Sequence, residues 1–314
     1  MRWYIARRLA FSVLLVFVVS SASLLLASIA PGDFVTESLG AVVSPETAAR
    51  ARVRYGLDRS VAEQYGRWLT RVARFDFGRS LVYDRPVADL VPERAANTAL
   101  LALAALIVST VIGLPLGILS GSRRGIVAAI VRGASVALVS MPPLLTSLVL
   151  VFIAARTGWL PIGGMHSTAA GSTSVIDVLK HMIVPVVALA LPIAATFERL
   201  QSQALAETVR QPFVTATIAR GVSEQRVVWR DALKAALVPV ASMYGLVVGS
   251  LLSGSFVVEM VTAWPGLGRL MLDGLRGRDA SLVAACAATG TLFLAFGTLL
   301  SDAALAFVDP RSRP

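Results

Sequence analysis

The sequence predicts an all-α membrane protein with six transmembrane helices and a small helical domain after the first of them. Of its 314 residues, 56% are hydrophobic and only 15% are charged, and the mean hydropathy is +0.73. A soluble domain carries about 25% charged residues, so this chain has too few to cover a water-exposed surface. The net charge of +10 comes from basic residues that mostly flank long apolar runs. That placement is typical of a chain in a bilayer and not of one that binds nucleic acid.

Six segments are candidate spans. The segment His181–Phe197 is short and contains Pro185 and Pro192, but prolines are tolerated where neighbouring helices satisfy the freed backbone groups. The other five are uncharged runs long enough to cross the roughly 30 Å hydrocarbon core as helices: Leu9–Ala30, Ala95–Ser122, Gly133–Ala155, Ala235–Val258 and Ala280–Ser301.

The first apolar run has two interpretations. Arg2, Arg7 and Arg8 precede it and Ala30 ends it, a pattern that signal peptides share. The run is long for a signal peptide, and its loss would leave five spans. We therefore predict an uncleaved anchor, with a signal peptide as the alternative.

The basic residues also predict the orientation. With the N-terminus in the cytoplasm, fourteen arginines and lysines fall in inner segments, whereas five fall in short outer loops: Arg156, Lys180, Arg269, Arg276 and Arg278. Cytoplasmic loops carry the excess of basic residues. We therefore predict that both termini are cytoplasmic and that residues 31–94 lie outside.

These observations divide the chain into three predicted parts. Residues 1–30 hold the N-terminal cytoplasmic end and the first span, residues 31–94 form an extracytoplasmic domain, and residues 95–314 form a five-helix core with a cytoplasmic loop at about 199–235. In the outer domain, Ser44-Pro45-Glu46 predicts a helix start and Ser60–Glu63 a capping box. An apolar stripe then recurs at helical spacing. The stripe consists of Val61, Tyr65, Trp68, Leu69 and Val72. Two interpretations stay open: the stripe only packs the domain onto the spans, or it also forms a docking face.

Small residues recur at helical spacing in three spans, which allows close approach of helix backbones in lipid. In the second span we expect such packing at Ser109, Gly113, Gly117 and Gly121; a looser series in the last span is Gly290, Gly297 and Ser301. In the fifth span the serines add polarity, and two alternatives stay open, a packing seam and a possible translocation path lined by Ser242, Gly245, Gly249 and Ser253.

The inner loop at 199–235 is polar, basic and patterned as helix, glycine, helix. Pro212 suits a first helical turn, and Gly221 suits a left-handed cap. Ser223 then starts a second helix that runs into the fifth span. A short helix tied to two spans is a lever, because a partner that grips it moves both spans. The alternative is an ordinary loop at the lipid headgroups.

The sequence lacks the motifs for ATP hydrolysis, metal binding and hydrolase catalysis. Neither of the two lysines, Lys180 and Lys234, follows a glycine, so there is no Walker A loop. The two histidines have no cysteine or carboxylate partners at metal-ligand spacing, so we predict no metal site. No hydrolase motif is present, so we predict no catalytic residues. Glu198, Glu259 and Asp302 fall at the predicted span ends, and we expect no buried mid-span carboxylate.

From one end to the other, the chain resembles the inner-membrane permease subunits of binding-protein-dependent ABC importers, in the dipeptide, oligopeptide and nickel branch. No single motif is specific, but their order and spacing are. The matching segments are Met1–Arg8, Pro31-Gly32-Asp33, Tyr55–Asp58, Gln64-Tyr65, Trp68-Leu69, Trp159-Leu160-Pro161, Gly163, Ala219–Ser223, Gly254, Val257–Glu259, Pro265–Gly268, Arg278-Asp279, Asp302 and Asp309-Pro310-Arg311.

The resemblance implies a type I importer permease fold in the bacterial plasma membrane. It also implies a second homologous permease subunit, two cytoplasmic ATPase subunits that bind ATP and Mg, and an extracytoplasmic solute-binding protein. This chain would itself bind no cofactor and hydrolyse no ATP. The short inner helix would contact the ATPase and couple hydrolysis to movement of the spans, with its contact residues at Phe213, Val214, Ala216, Ala219, Arg220 and Gly221.

The function expected from the resemblance is uptake of peptides or similar small solutes. The alternative is a self-contained secondary transporter or channel; a membrane-bound enzyme and an assembly scaffold are weaker alternatives. We expect the outer segment and the loop around Trp264 to face the binding protein, with possible docking residues at Arg50, Arg52 and Arg59.

Overall fold

The computed structural model describes residues 2–39, 44–122, 125–167 and 174–308. Several predicted residues lie outside these ranges: Arg123, Arg124, Arg311 and Arg313 of the inner segments, and the Asp309-Pro310-Arg311 motif. The described residues form helices joined by short connections, with an isolated bridge between Arg79 and Pro86. The helices are α1 Arg2–Ile29, α2 Phe34–Leu39, α3 Pro45–Tyr55, α4 Val61–Val72, α5 Val87–Ser122, α6 Ile126–Val139, α7 Pro143–Thr157, α8 Val175–Thr208, α9 Pro212–Ala219, α10 Glu224–Val227, a π-helical turn Val228–Ala232, α11 Leu233–Ala236, α12 Val238–Val261, α13 Leu267–Arg276 and α14 Ala280–Val308.

The all-helical membrane architecture is confirmed. Four continuous helices in the described ranges are long and apolar enough to cross a membrane, within α1, α5, α8 and α14. Two bent pairs raise the number to six if each pair is one span: α6 with α7, and the α10–α11 segment with α12. These six correspond to the six apolar segments of the sequence.

The third span is not the straight helix that the sequence pattern suggests. Its two halves, α6 and α7, meet at an angle of 102°. The break lies at Pro142, whose backbone is extended (φ −62°, ψ 142°), and Pro143 begins α7. A residue that precedes proline is disfavoured in the helical region, so two successive prolines end the helix inside an uninterrupted apolar run.

The proline-containing fourth span is longer than predicted. α8 runs for 34 residues through both Pro185 and Pro192 and ends at Thr208. Val184, Pro185, Val186, Ala188 and Leu189 are all buried, so packing holds the helix together where two backbone hydrogen bonds are lost.

Both predicted helix starts of the outer segment are confirmed. The Ser44 hydroxyl accepts a hydrogen bond from the Thr47 amide and Pro45 occupies the first turn of α3. The Ser60 hydroxyl accepts a hydrogen bond from the Glu63 amide at 3.3 Å, and Ser60 is the N-cap of α4. These side chains satisfy amide donors that a helix N-terminus leaves unpaired.

The chain forms two compact units. The first contains residues 2–98 and 265–293, and its core is a cluster from α5, α13 and α14 that includes Val87, Leu270 and Leu282. The second contains 99–264 and 294–308. Its largest core cluster includes Leu101, Phe197, Leu251 and the fully buried Trp264.

Candidate functional site

The short inner helix has the extent that the sequence predicts. α9 begins at Pro212 after an extended Gln211 and ends at Ala219, with Arg220 as its C-cap. Gly221 follows with φ +87°, a left-handed conformation that glycine adopts without the steric cost of a Cβ. The Arg220 guanidinium donates to the Thr217 hydroxyl at 2.9 Å, and that hydroxyl donates to the Phe213 carbonyl at 2.8 Å.

The surface that α9 offers to a partner differs from the expected one. Val214 is only 1% exposed, so its side chain belongs to the interior of this chain and is unavailable to an ATPase. Phe213 and Ile218 are 41% and 39% exposed, and they supply the large apolar contact area. Ile218 was not among the predicted residues. Of the other predicted contact residues, Ala216, Ala219, Arg220 and Gly221 are exposed.

Val214 instead connects α9 to its neighbours. Its side chain packs in a cluster with residues of α8, the α10 segment, the π-helical turn and α11: Leu205, Val227, Ala232 and Ala236. Val214 thus shares one buried cluster with the segments before and after α9. That a partner moves both spans through α9 stays a prediction, as does the alternative of an ordinary loop at the lipid headgroups.

The predicted second inner helix is interrupted by a π-helical turn at Val228–Ala232. Such turns insert one residue into a helix and are frequent at functional sites. Trp229 and Arg230 on this turn are exposed. The following bend of 44° separates this segment from α12.

The small residues of α5 form a packing seam. A Cβ built on Gly113 would lie 2.5 Å from the Ala194 carbonyl oxygen, and one on Gly117 would lie 2.6 Å from the Cβ of Gln201. On Gly121 it would lie 2.7 Å from the Ser202 carbonyl oxygen. The backbones of α5 and α8 therefore approach each other as the glycine spacing predicts.

Three of the four small residues of α12 contact α14: Gly245 and Gly249 by close approach, and Ser242 through its carbonyl oxygen, which accepts a hydrogen bond from the Ser301 hydroxyl at 3.4 Å. A Cβ on Gly245 would lie 2.5 Å from the Cβ of Ser301, and one on Gly249 would lie 2.7 Å from Leu294. These two glycines thus lie in a packing contact, whereas Ser242 is exposed. The side chain of Ser253 lies outside the described part of the chain. A path along this face stays a prediction, which Ser242 fits better than the glycines.

The expectation that no carboxylate is buried within a span is wrong. Glu198 is 1% exposed and Glu259 is fully buried. α8 continues past the predicted span end. Glu198 therefore lies between α8 and α5, where its carboxylate accepts a hydrogen bond from the Ser120 hydroxyl. Its second oxygen and both amide atoms of Gln201 are buried and have no hydrogen-bond partner among the residues that the structure describes.

The three arginines proposed for docking have different environments. Arg52 donates from its Nε to Asp33 Oδ2 at 2.5 Å and from Nη2 to the Thr36 hydroxyl, so an internal ion pair already holds it. The hydrogen bond from Arg52 lowers the pKa of the Asp33 carboxyl to about 2. Arg50 is exposed and Arg59 is half-buried.

In the loop around Trp264, which the sequence predicts to face the binding protein, the indole itself is not exposed. Trp264 is fully buried in the core of the second unit. Its amide donates to the Glu259 carbonyl, which closes the end of α12. Thr262 in the same turn accepts a hydrogen bond from the Gly164 amide at 2.9 Å. The tryptophan therefore anchors this loop.

Among the residues that the structure describes, no group of three histidine, cysteine, aspartate or glutamate side chains is placed to hold a metal ion. Cys286 is buried. The features that stand out are a short exposed helix, the buried cluster that packs it and close helix seams.

Comparisons with known proteins agree with this arrangement. The family described as binding-protein-dependent transport system inner membrane component matches residues 113–314, and the N-terminal family of the same membrane components matches residues 1–102. The oligopeptide transport system permease protein AppB of Bacillus subtilis is 31% identical over 316 residues, covering 98% of each chain.

Two further relatives are similar over their full length. A Brucella abortus protein, named as a peptide transport system permease protein, is 31% identical over 317 residues and 98% of each chain. A Sinorhizobium fredii protein, named as a peptide ABC transporter permease protein, is 29% identical over 312 residues and 99% of each chain. On these matches, and with apolar helices that can span a bilayer, the chain belongs to the family of inner-membrane components of binding-protein-dependent transport systems.

Proposed function

We propose that this chain is the transmembrane pathway subunit of an ATP-driven importer that takes up peptides, or similar small solutes, delivered by an extracytoplasmic binding protein. The peptide class is supported by the names of the relatives. ATP hydrolysis is assigned to cytoplasmic partner subunits, because the sequence has no Walker A loop. A second permease subunit would complete the pathway.

The exposed face of α9 is the observation that carries the proposal. A two-turn helix with Phe213 and Ile218 exposed is suited to an apolar groove on an ATPase. Its buried anchor, Val214, passes the resulting force to α8 and to the segment that leads into α12. Movement of these helices would then alternate access to the two sides of the membrane.

The experiment is a coupling assay on the reconstituted transporter, with ATPase activity measured with and without loaded binding protein. Gly221→Val places a β-branched residue at φ +87°, which is strained, so we expect insertion to persist and the stimulation to be lost. Phe213→Ala should weaken ATPase association by about 2 kcal/mol, the typical loss of an interface aromatic anchor.

Gly158→Val is the matched control, since Gly158 also has positive φ (+66°) and no atom within 4 Å of its built Cβ. It ends α7 and lies outside the α9 segment. Retained stimulation in Gly221→Val would contradict the coupling role. Solute accumulation by this chain alone, without ATP, would favour the secondary-transporter alternative.

A further inference from the structure

The first unit contains a basic cavity at the end of two apolar helices. It has a volume of about 160 Å³ and is lined by Leu24 and Ser28 of α1 and by Ala280 and Ser281 of α14. One face of α4 contributes Gln64, Arg67, Trp68 and Arg71, which recur at the spacing of a single helix face.

The charges of this basic cavity are not balanced. Four arginines and two aspartates line it. Arg79 pairs with Asp84 at 3.1 Å, but in the described part of the chain no carboxylate lies within ion-pair distance of Arg67, Arg71 or Arg278. The cavity therefore has an excess of positive charge that suits an anion.

The two aspartates of the cavity already have donors of their own. Asp279 is fully buried and accepts hydrogen bonds from the Ser80 hydroxyl and the Leu81 and Leu282 amides. Asp76 accepts one from the Gly78 amide. Both carboxylates thus already accept hydrogen bonds within this unit, which leaves Arg67, Arg71 and Arg278 as the groups available to a ligand.

An apolar groove adjoins the basic cavity and shares Arg278 and Asp279 with it. The groove has a volume of about 260 Å³ and lies between α1, α13 and α14. Its other lining residues are mostly apolar, among them Leu26, Ala27, Met271, Leu275 and Val283. A cationic cavity continuous with an apolar groove fits an amphiphile that has an anionic head and a hydrocarbon tail.

We infer that this site binds an anionic phospholipid, with the headgroup phosphate at Arg67, Arg71 and Arg278 and an acyl chain in the apolar groove. Guanidinium groups bind phosphate oxygens through paired hydrogen bonds. Trp68 and Tyr55 also line the basic cavity, and such aromatic rings are typical of the headgroup level of a membrane. An acidic protein segment would use the arginines but not the groove.

Native mass spectrometry of the full-length chain in detergent tests this inference. Dioleoylphosphatidylglycerol should bind at least about tenfold more tightly than dioleoylphosphatidylcholine, because basic residues at a membrane surface attract anionic lipid. Arg67→Gln combined with Arg71→Gln should abolish this preference. Arg74→Gln, an exposed arginine of the same segment that does not line the cavity, should leave it unchanged.

A second variant tests the groove independently of the arginines. Ala27→Phe should fill the apolar groove and weaken binding of the phospholipid, while glycerol 3-phosphate, which has no tail, should bind weakly to every variant.

Equal binding of the two lipids, dioleoylphosphatidylglycerol and dioleoylphosphatidylcholine, or no effect of the arginine changes, would overturn the inference. So would tight binding of glycerol 3-phosphate, which would indicate a free-phosphate site. Cross-linking of the same variants to the binding protein tests the other possible ligand. If the arginine variants keep lipid binding but lose this cross-linking, the ligand is an acidic protein segment.

Discussion

At the scale of single residues, Asp279 is the main polar link within the first unit. Its fully buried carboxylate accepts hydrogen bonds from Ser80 and Leu81, far away in the sequence, and from the first turn of α14. Asp279→Ala would leave these donors unpaired, so we expect a loss of about 3 kcal/mol of unfolding free energy. Asp279→Asn should lose less. Asp76→Ala, which removes one exposed cap, should cost under about 1 kcal/mol. Equal melting shifts for Asp279→Ala and Asp76→Ala would contradict this role.

The Asp33–Arg52 ion pair predicts a pH dependence for the outer segment. The pKa of Asp33 is about 2 in the fold, against an ordinary value of 3.8. A depressed pKa contributes stability that is present above about pH 4 and is lost as the pH falls through 2. Hydrogen exchange in α3, corrected for the intrinsic rate, should therefore accelerate between pH 4 and pH 2.

Asp33→Asn should remove this acid dependence and raise exchange in α3 at neutral pH as well. Asp58→Asn is the control, since Asp58 is an exposed acid of the same segment and lies outside the Asp33–Arg52 ion pair. If α3 in Asp33→Asn still loosens between pH 4 and pH 2, another group is responsible.

At the scale of elements, close helix approach determines which glycines matter. Gly117→Ala would place a Cβ 2.8 Å from the Glu198 carbonyl oxygen and still closer to Gln201, so α5 and α8 must separate. We expect a loss of about 1–3 kcal/mol, the usual cost of overpacking. Gly133→Ala on α6 meets no atom within 4 Å and should be neutral or slightly stabilising, because alanine favours helix. Thermal unfolding in detergent measures both, and similar melting points would show that the seam tolerates the methyl group.

The sequence specifies some elements better than others, for physical reasons. Capping residues act on their own helix, so the starts at Ser44 and Ser60 were predictable. Prolines are ambiguous because packing decides their effect: α8 stays continuous through Pro192, whereas Pro142-Pro143 breaks the third span. The π-helical turn at Val228–Ala232 has no composition signal, since it depends on how the segment packs.

The candidate coupling site was predictable in place but not in detail. Pro212 and Gly221 mark the ends of α9 in the sequence itself. Eight residues give barely two helical turns, too few for apolar periodicity to reveal which side is buried. The burial of Val214 and the exposure of Ile218 therefore emerge only from the packing of α8, the α10 segment and α11.

At the scale of the whole molecule, the exposed apolar side chains lie mostly along α1, α5, α6 and α7. Such a surface is unfavourable in water and suits contact with lipid. Glu198 and Glu259 are buried away from this surface, so neither carboxylate is exposed to hydrocarbon, where a charge is costly.

The orientation of the whole chain is the remaining prediction, because the excess of basic residues in alternate segments favours cytoplasmic termini. Cys286 is the sole cysteine, so Cys286→Ala gives a cysteine-free background. In that background Thr70→Cys, exposed on α4, should react with a membrane-impermeant maleimide from the extracytoplasmic side. Gln225→Cys, exposed on α10, should react only after the membrane is opened. In the six-span topology an odd number of spans separates these two sites, so they should lie on opposite sides of the membrane. Labelling of both from one side would refute the six-span topology. Labelling of Gln225→Cys alone from the extracytoplasmic side would keep six spans but place both termini outside the cytoplasm.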